Sequence, residues 1–191
     1  MSVLVIALLF LAGFVSGAIN AVAGGGTFIS FGALTLIGVP SIVANATSSI
    51  AQLPGYITST LAYRKDFAKM WRGVLVLAVV SAIGSLGGAL FLLYLNNAQF
   101  SAVVPWLLLG ATALFAAGPW LKPKPKHQDA AAEGRNLASP IVQFFTSIYG
   151  GFFGAGMGIM MLATLGLTEG GDYHRLNAIK NLLANVIAIT A

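Results

Sequence analysis

The chain has 191 residues, 58% of them apolar and 8% charged, with a net charge of +5 and a mean hydropathy of +0.88. An average soluble domain carries about 25% charged residues, so this composition excludes a soluble fold and predicts an all-α, polytopic helical membrane protein forming one transmembrane domain. With no cysteine and only His127 and His174 as histidines, disulfides, thiolate chemistry and Cys- or His-cluster metal sites are excluded. Neither a metal nor a cofactor is expected.

Val3–Ala23 carries no charge, and at 1.5 Å per residue it crosses about 30 Å of hydrocarbon. No basic stretch precedes it, so it reads as a spanning helix rather than a cleaved signal peptide. It runs into Asn20-Ala21-Val22-Ala23-Gly24-Gly25-Gly26-Thr27. Each glycine costs a helix roughly 1 kcal/mol relative to Ala, so a break is predicted at membrane depth. Backbone groups freed there must be buried by protein or line a cavity. Gly24–Val39 is apolar but short, and it reads equally as a half-helix, a re-entrant segment or an oblique crossing.

Pro40-Ser41 predicts a helix start with Ser41 as N-cap. The run Ile42–Tyr63 holds Asn45, Thr47, Ser48, Ser49, Gln52 and Pro54, so one face is expected to avoid lipid. The loop 64–72 has four positives and one negative and is the strongest cytoplasmic marker. Val74–Leu95 spans again, with Ser81, Gly84, Ser85, Gly87 and Gly88 available for close packing. After the turn Asn96–Gln99, Ser101–Leu121 crosses back, with Trp106 and Trp120 at interfacial positions.

The linker 122–136 is rich in Pro, Lys and Ala. Its positives Lys122, Lys124, Lys126 and Arg135 place it on the cytoplasmic side with loop 64–72. Leu137–Ala155 then spans and is interrupted by Gly150, Gly151, Gly154, Gly156 and Gly158, followed by the short apolar run Ile159–Leu167. The polar turn Glu169–Arg175 is expected on the outer side. Leu176–Ala191 is apolar except for Asn177, Lys180, Asn181 and Asn185.

An offset of 132 residues aligns the two glycine breaks and gives eight identities over the 42 pairs from Ala18/Gly150 to Ser59/Ala191. The matches include Gly24/Gly156, Gly26/Gly158 and the pairs Asn45-Ala46/Asn177-Ala178. The chain thus divides into a first half (1–121), a linker (122–136) and a second half (137–191). The offset puts the counterpart of Leu121 at about residue 253, so the second half is expected to be cut short by about two helices. Broken helices at matching positions of two halves point to a transporter site. A full crossing by Gly24–Val39 gives inverted halves, and a re-entrant loop gives parallel ones.

The runs Gly17-Ala18-Ile19-Asn20-Ala21-Val22-Ala23-Gly24-Gly25-Gly26, Gly38-Val39-Pro40 and Ala44-Asn45-Ala46-Thr47-Ser48 resemble the sulfite exporter TauE/SafE family of bacterial permeases. So do Gly150-Gly151-Phe152-Phe153-Gly154-Ala155-Gly156-Met157-Gly158, Asn177-Ala178 and Lys180-Asn181. The resemblance implies a transporter of sulfite, sulfonates or related organosulfur anions in the bacterial cytoplasmic membrane, not an enzyme. The partners implied are a small anion and the lipid bilayer, not nucleic acid, with a homo-oligomer left open.

The candidate anion site comprises Asn20, Gly24, Gly25, Gly26, Thr27, Asn45, Thr47, Ser48, Gly154, Gly156, Gly158, Asn177, Lys180 and Asn181. A helix restarting after a glycine break offers free N–H groups and the positive end of its dipole to an anion. The same glycines could serve helix packing alone. The asparagine amides could donate to sulfonate oxygens or bond the broken backbone, and the hydroxyls could back-bond to the preceding turn. Lys180 lies four places into an apolar run, where an unpaired cation costs about 3 kcal/mol or more. It either neutralises the anion or snorkels past Arg175 and Asp172. The competing class is a membrane scaffold whose glycines only pack helices.

Overall fold

The computed structural model describes residues 2–64, 71–121, 138–169 and 173–191. Residues 65–70 of loop 64–72, the whole 122–136 linker with Leu137, and residues 170–172 lie outside the described residues. Among the described residues there are eight helices and no strand. They are α1 (Val3–Ala23), α2 (Thr27–Leu36), α3 (Ser41–Ala62), α4 (Trp71–Leu93), α5 (Asn97–Leu121), α6 (Ala138–Phe152), α7 (Met157–Thr168) and α8 (Tyr173–Thr190). Three stretches, Val3–Ala23, Trp71–Leu93 and Asn97–Leu114, are long and apolar enough to cross a membrane. Their large apolar side chains, such as Phe10, Phe14, Ile83, Phe91 and Trp106, are exposed, as a lipid-facing surface requires.

The ends of the helices follow local chemistry. Gly24 closes α1 in the left-handed conformation (φ 78°), with its N–H on the Asn20 carbonyl. Asn96 and Gln99 form a capping box at the start of α5, each side-chain oxygen accepting the other's N–H at 2.9–3.0 Å. Ser41 does not cap α3 as expected. It is the first helical residue, and the Ile42 N–H is taken by the Asn97 side chain at 3.1 Å. The cap is supplied from a different helix.

The 132-residue offset recurs in the elements. Gly24 and Gly156 share φ 78°, α2 and α7 end at corresponding residues, and α3 and α8 begin at corresponding residues. The contacts also fix the relative directions. Ser16 of α1 meets Gln52 of α3, and farther along Asn177 bridges the Ala21 carbonyl and the Tyr63 hydroxyl. Helices α1 and α3 are therefore parallel, and residues 24–40 return the chain to the end where α1 began. On the other side α4 and α6 are parallel, since Ser81 meets Gln143 and Gly88 meets Ile148 and Phe152. Helix α8 starts beside Tyr63 and finishes with Thr190 on Ser85 of α4. The pair α6/α8 thus runs opposite to α1/α3, and the halves are inverted.

The same geometry corrects the side assigned to the turn after α7. Ser139, at the start of α6, donates to the Glu169 carboxylate, and His174 lies edge-on to Tyr63. Helix α7 carries the chain back, so this turn shares the membrane face of the α3 C-terminus. Packing is closest between α4 and α6, where a Cβ on Gly84 would stand 2.7 Å from the Phe144 carbonyl oxygen. Gly87, also expected to pack, instead has open space around it.

Candidate functional site

The polar positions of α1, α3 and α8 converge at the end of α1. Helical spacing puts Ser16 and Asn20 on one face of α1, and Asn45, Ser48, Gln52 and Tyr56 on one face of α3. Ser16 donates to the Gly26 carbonyl at 2.6 Å, and the Gln52 amide donates in turn to Ser16 at 2.6 Å. The Gly26 carbonyl, which also accepts the Ile29 N–H at 2.9 Å, is thereby tied to α1 and α3. Three further carbonyls at the end of α1 are held by α8: Asn20 by Lys180, Ala21 by Asn177, and Val22 by the Tyr173 hydroxyl.

The second break is held from the first half. The Asn45 amide donates to the Phe152 carbonyl at 3.2 Å, and its oxygen accepts the Gly154 N–H at 3.1 Å. Asn45 and Asn177 are repeat-related, so each half uses its asparagine to secure the broken backbone of the other. Both amides therefore bond backbone, and neither lines the cavity described below.

The glycines are packed surfaces. The two breaks cross in contact, so that a Cβ on Gly24 would stand 2.6 Å from the Gly158 carbonyl carbon. Gly25 is covered by the Ile159 side chain, Gly26 by the Ser16 backbone, Gly154 by the Ser49 hydroxyl and Gly156 by the Phe28 ring. Protein atoms fill the space into which each of these glycines would place a side chain. Thr27 is buried there with its hydroxyl unpartnered. Ser48 back-bonds to the Asn45 carbonyl at 2.9 Å, and Thr47 points outward.

The open space lies beside the first break. A partly enclosed cavity of about 140 Å³ is lined by Gly17, Asn20 and Ala21 of α1, Gln52, Gly55, Tyr56, Thr58 and Ser59 of α3, and Asn181 of α8. That is room for several waters or one ion the size of sulfite. The Asn20 side chain and the Tyr56 hydroxyl are buried beside each other in this wall. With the Asn20, Gln52 and Asn181 amides and the Tyr56, Thr58 and Ser59 hydroxyls along it, this lining suits a polar occupant. A larger groove of about 420 Å³ shares Gly17, Gln52 and Gly55 and is otherwise walled mainly by apolar residues such as Leu9, Phe10 and Phe14.

Lys180 is not part of this lining but is buried behind it, where the carbonyl of Asn20, a lining residue, accepts from Nζ at 3.1 Å. Its side chain is 0% exposed, so it does not snorkel. Among the described residues no carboxylate pairs with it. The helix C-terminus of α1 offers a partial negative charge to this ammonium, which leaves most of its charge unbalanced.

Of the residues singled out in the sequence, the structure brings Asn20 and Asn181 together at the cavity, with Lys180 bonded to the Asn20 carbonyl behind its wall. Gln52, Tyr56, Thr58 and Ser59 also line it and were not among the candidate site residues. The spacing Asn45, Ser48, Gln52, Tyr56 was the signal that could have found them, since it continues one polar stripe down α3.

The model of the sulfite exporter TauE/SafE family matches residues 9–191. The chain belongs to that family. It is 31% identical over 163 residues to a "Probable membrane transporter protein" of Haemophilus influenzae, an overlap covering 85% of this chain and 63% of the relative. A "Probable membrane transporter protein ORF9" of Sinorhizobium is 27% identical over 167 residues, covering 86% of this chain and 64% of the relative. The chain thus spans a little under two thirds of the length of these relatives. No solved structure matches it significantly.

Proposed function

We propose that the chain is the anion-binding part of a secondary transporter of sulfite, a sulfonate or a related small organosulfur anion. The observation that carries this reading is the cavity beside the first break, with amides and hydroxyls along its wall and, behind that wall, a buried ammonium that has no carboxylate partner among the described residues. Family membership and the relatives' names support transport; the oxyanion chemistry rests on the cavity. Asn20, Gln52, Tyr56, Ser59 and Asn181 bind the oxygens through amide and hydroxyl donors, and Lys180 supplies the countercharge. The glycine breaks act as the crossing about which the inverted halves rearrange. Loops 64–72 and 122–136 face the cytoplasm, because their basic residues stay on that side of the bacterial inner membrane.

A scaffold role accounts for the packed glycines but leaves the polar cavity and Lys180 without a purpose. The two readings separate in proteoliposomes containing the purified chain. Labelled sulfite uptake above that of protein-free vesicles is expected, reduced severalfold by Asn181→Ala or Tyr56→Phe at unchanged melting temperature. Uptake equal to empty vesicles would contradict transport by this chain. Uptake insensitive to both substitutions would contradict the cavity as the site.

A further inference from the structure

We infer that Lys180 makes the cavity selective for singly charged anions over doubly charged or neutral molecules of the same shape. This rests on the cavity being the anion site. The Lys180 ammonium is fully buried, makes one hydrogen bond to a neutral carbonyl and has no carboxylate partner among the described residues. Asn20, whose carbonyl it holds, and Asn181, its neighbour in sequence, both line the cavity, so its charge acts on an occupant across that wall rather than through a direct hydrogen bond.

Charge balance then decides what fits. The described part of the cavity wall is itself uncharged: glycine, alanine, amides and hydroxyls. A single negative charge gives a neutral buried pair. A second negative charge would be desolvated with no countercharge, and a neutral guest would leave the lysine uncompensated. The groups that can ionise near Lys180 do not alter this balance. Helix α3 carries no Asp, Glu, Lys, Arg or His. On its own helix His174 and Arg175 are exposed beyond the first turn, while α1 and α7 carry no ionisable side chain. The repeat-related residue is Ser48, which donates to a carbonyl of its own helix, so the charge belongs to one half alone.

The test is an isosteric series, dimethyl sulfone (neutral), methanesulfonate (one charge) and sulfate (two charges), titrated against the purified chain in lipid nanodiscs by calorimetry. Methanesulfonate is expected to bind at least about tenfold more tightly than either of the others. In Lys180→Gln, methanesulfonate loses that advantage and dimethyl sulfone binds as well or better, whereas Lys180→Arg keeps the order of the wild type. The ligand-free melting temperature of each variant reports whether it is folded. Sulfate binding as tightly as methanesulfonate, or an order unchanged in folded Lys180→Gln, would overturn the charge assignment while leaving the cavity as a binding site. No binding by any of the three would overturn the cavity reading and this inference together.

Discussion

The two breaks share a backbone conformation but have different surroundings. Beside the first, Gly17 and Gly55 leave room for a cavity, and Asn20, Gln52 and Tyr56 make its wall polar. The repeat places Tyr149, Ile187, Phe152, Ala184 and Ala188 at the corresponding positions of the second half. There Phe152 and Phe153 are buried among Phe31, Phe100 and Val104, and Ile187 and Ala184 lie in a core with Met157 and Leu183. One break therefore borders a polar cavity and the other a close-packed apolar wall. An inverted repeat supplies the geometry of a transporter, but here only one of its two equivalent positions has the composition of a site.

The largest effect is expected where the breaks touch, because both halves depend on that contact. Gly24→Val places a branched side chain at φ 78° against the Gly158 backbone, with an expected loss of about 3 kcal/mol or more. Failure to recover a monodisperse protein in detergent would be the readout, and a stable Gly24→Val chain would contradict the packed crossing. Next comes the difference between the two asparagines. Asn45 uses both ends of its amide on the second break, whereas the Asn177 oxygen is unpartnered. Asn45→Ala is expected to cost about 2–3 kcal/mol and Asn177→Ala about 1, measured as the shift in unfolding midpoint. Equal losses would remove the proposed asymmetry in how the breaks are held.

Giving the first half the residues of the second sharpens the comparison further. A Cβ on Gly55 meets nothing within 4 Å, so Gly55→Ile is expected to raise stability by about 0.5 kcal/mol through helix propensity while abolishing ligand-dependent stabilisation. Loss of both together would mean that the space at Gly55 is structural. Gly87, which also has open surroundings and does not line the cavity, is expected to affect stability alone. Gly87→Ala should stabilise by up to about 1 kcal/mol with no change in ligand binding.

Much of the frame was legible in the sequence. The bounds Val3–Ala23 followed from an uncharged run ending in glycine, and the repeat followed from identities that include both the breaks and the Asn-Ala pairs. What each side chain bonds to was not legible. Lys180 and the Asn20 carbonyl are 160 residues apart, and no periodicity predicts that pairing. The glycine sites looked open because sequence shows which residues lack a side chain but not what fills the space. The cavity depends on Gly17 and Gly55 facing each other from different helices, which requires α1 and α3 to be parallel. That in turn depended on whether residues 24–40 return the chain across the layer, a question the apolar run left open.

The central claim is that the anion sits in the cavity beside the first break and not at the glycines. Selenite, a close analogue of sulfite, places an anomalous scatterer at the site in crystals of the chain. The account predicts one strong selenium peak among the side chains of Asn20, Tyr56, Ser59 and Asn181. A peak at the Gly24–Gly158 crossing or beside the second break, with the cavity empty, would contradict it.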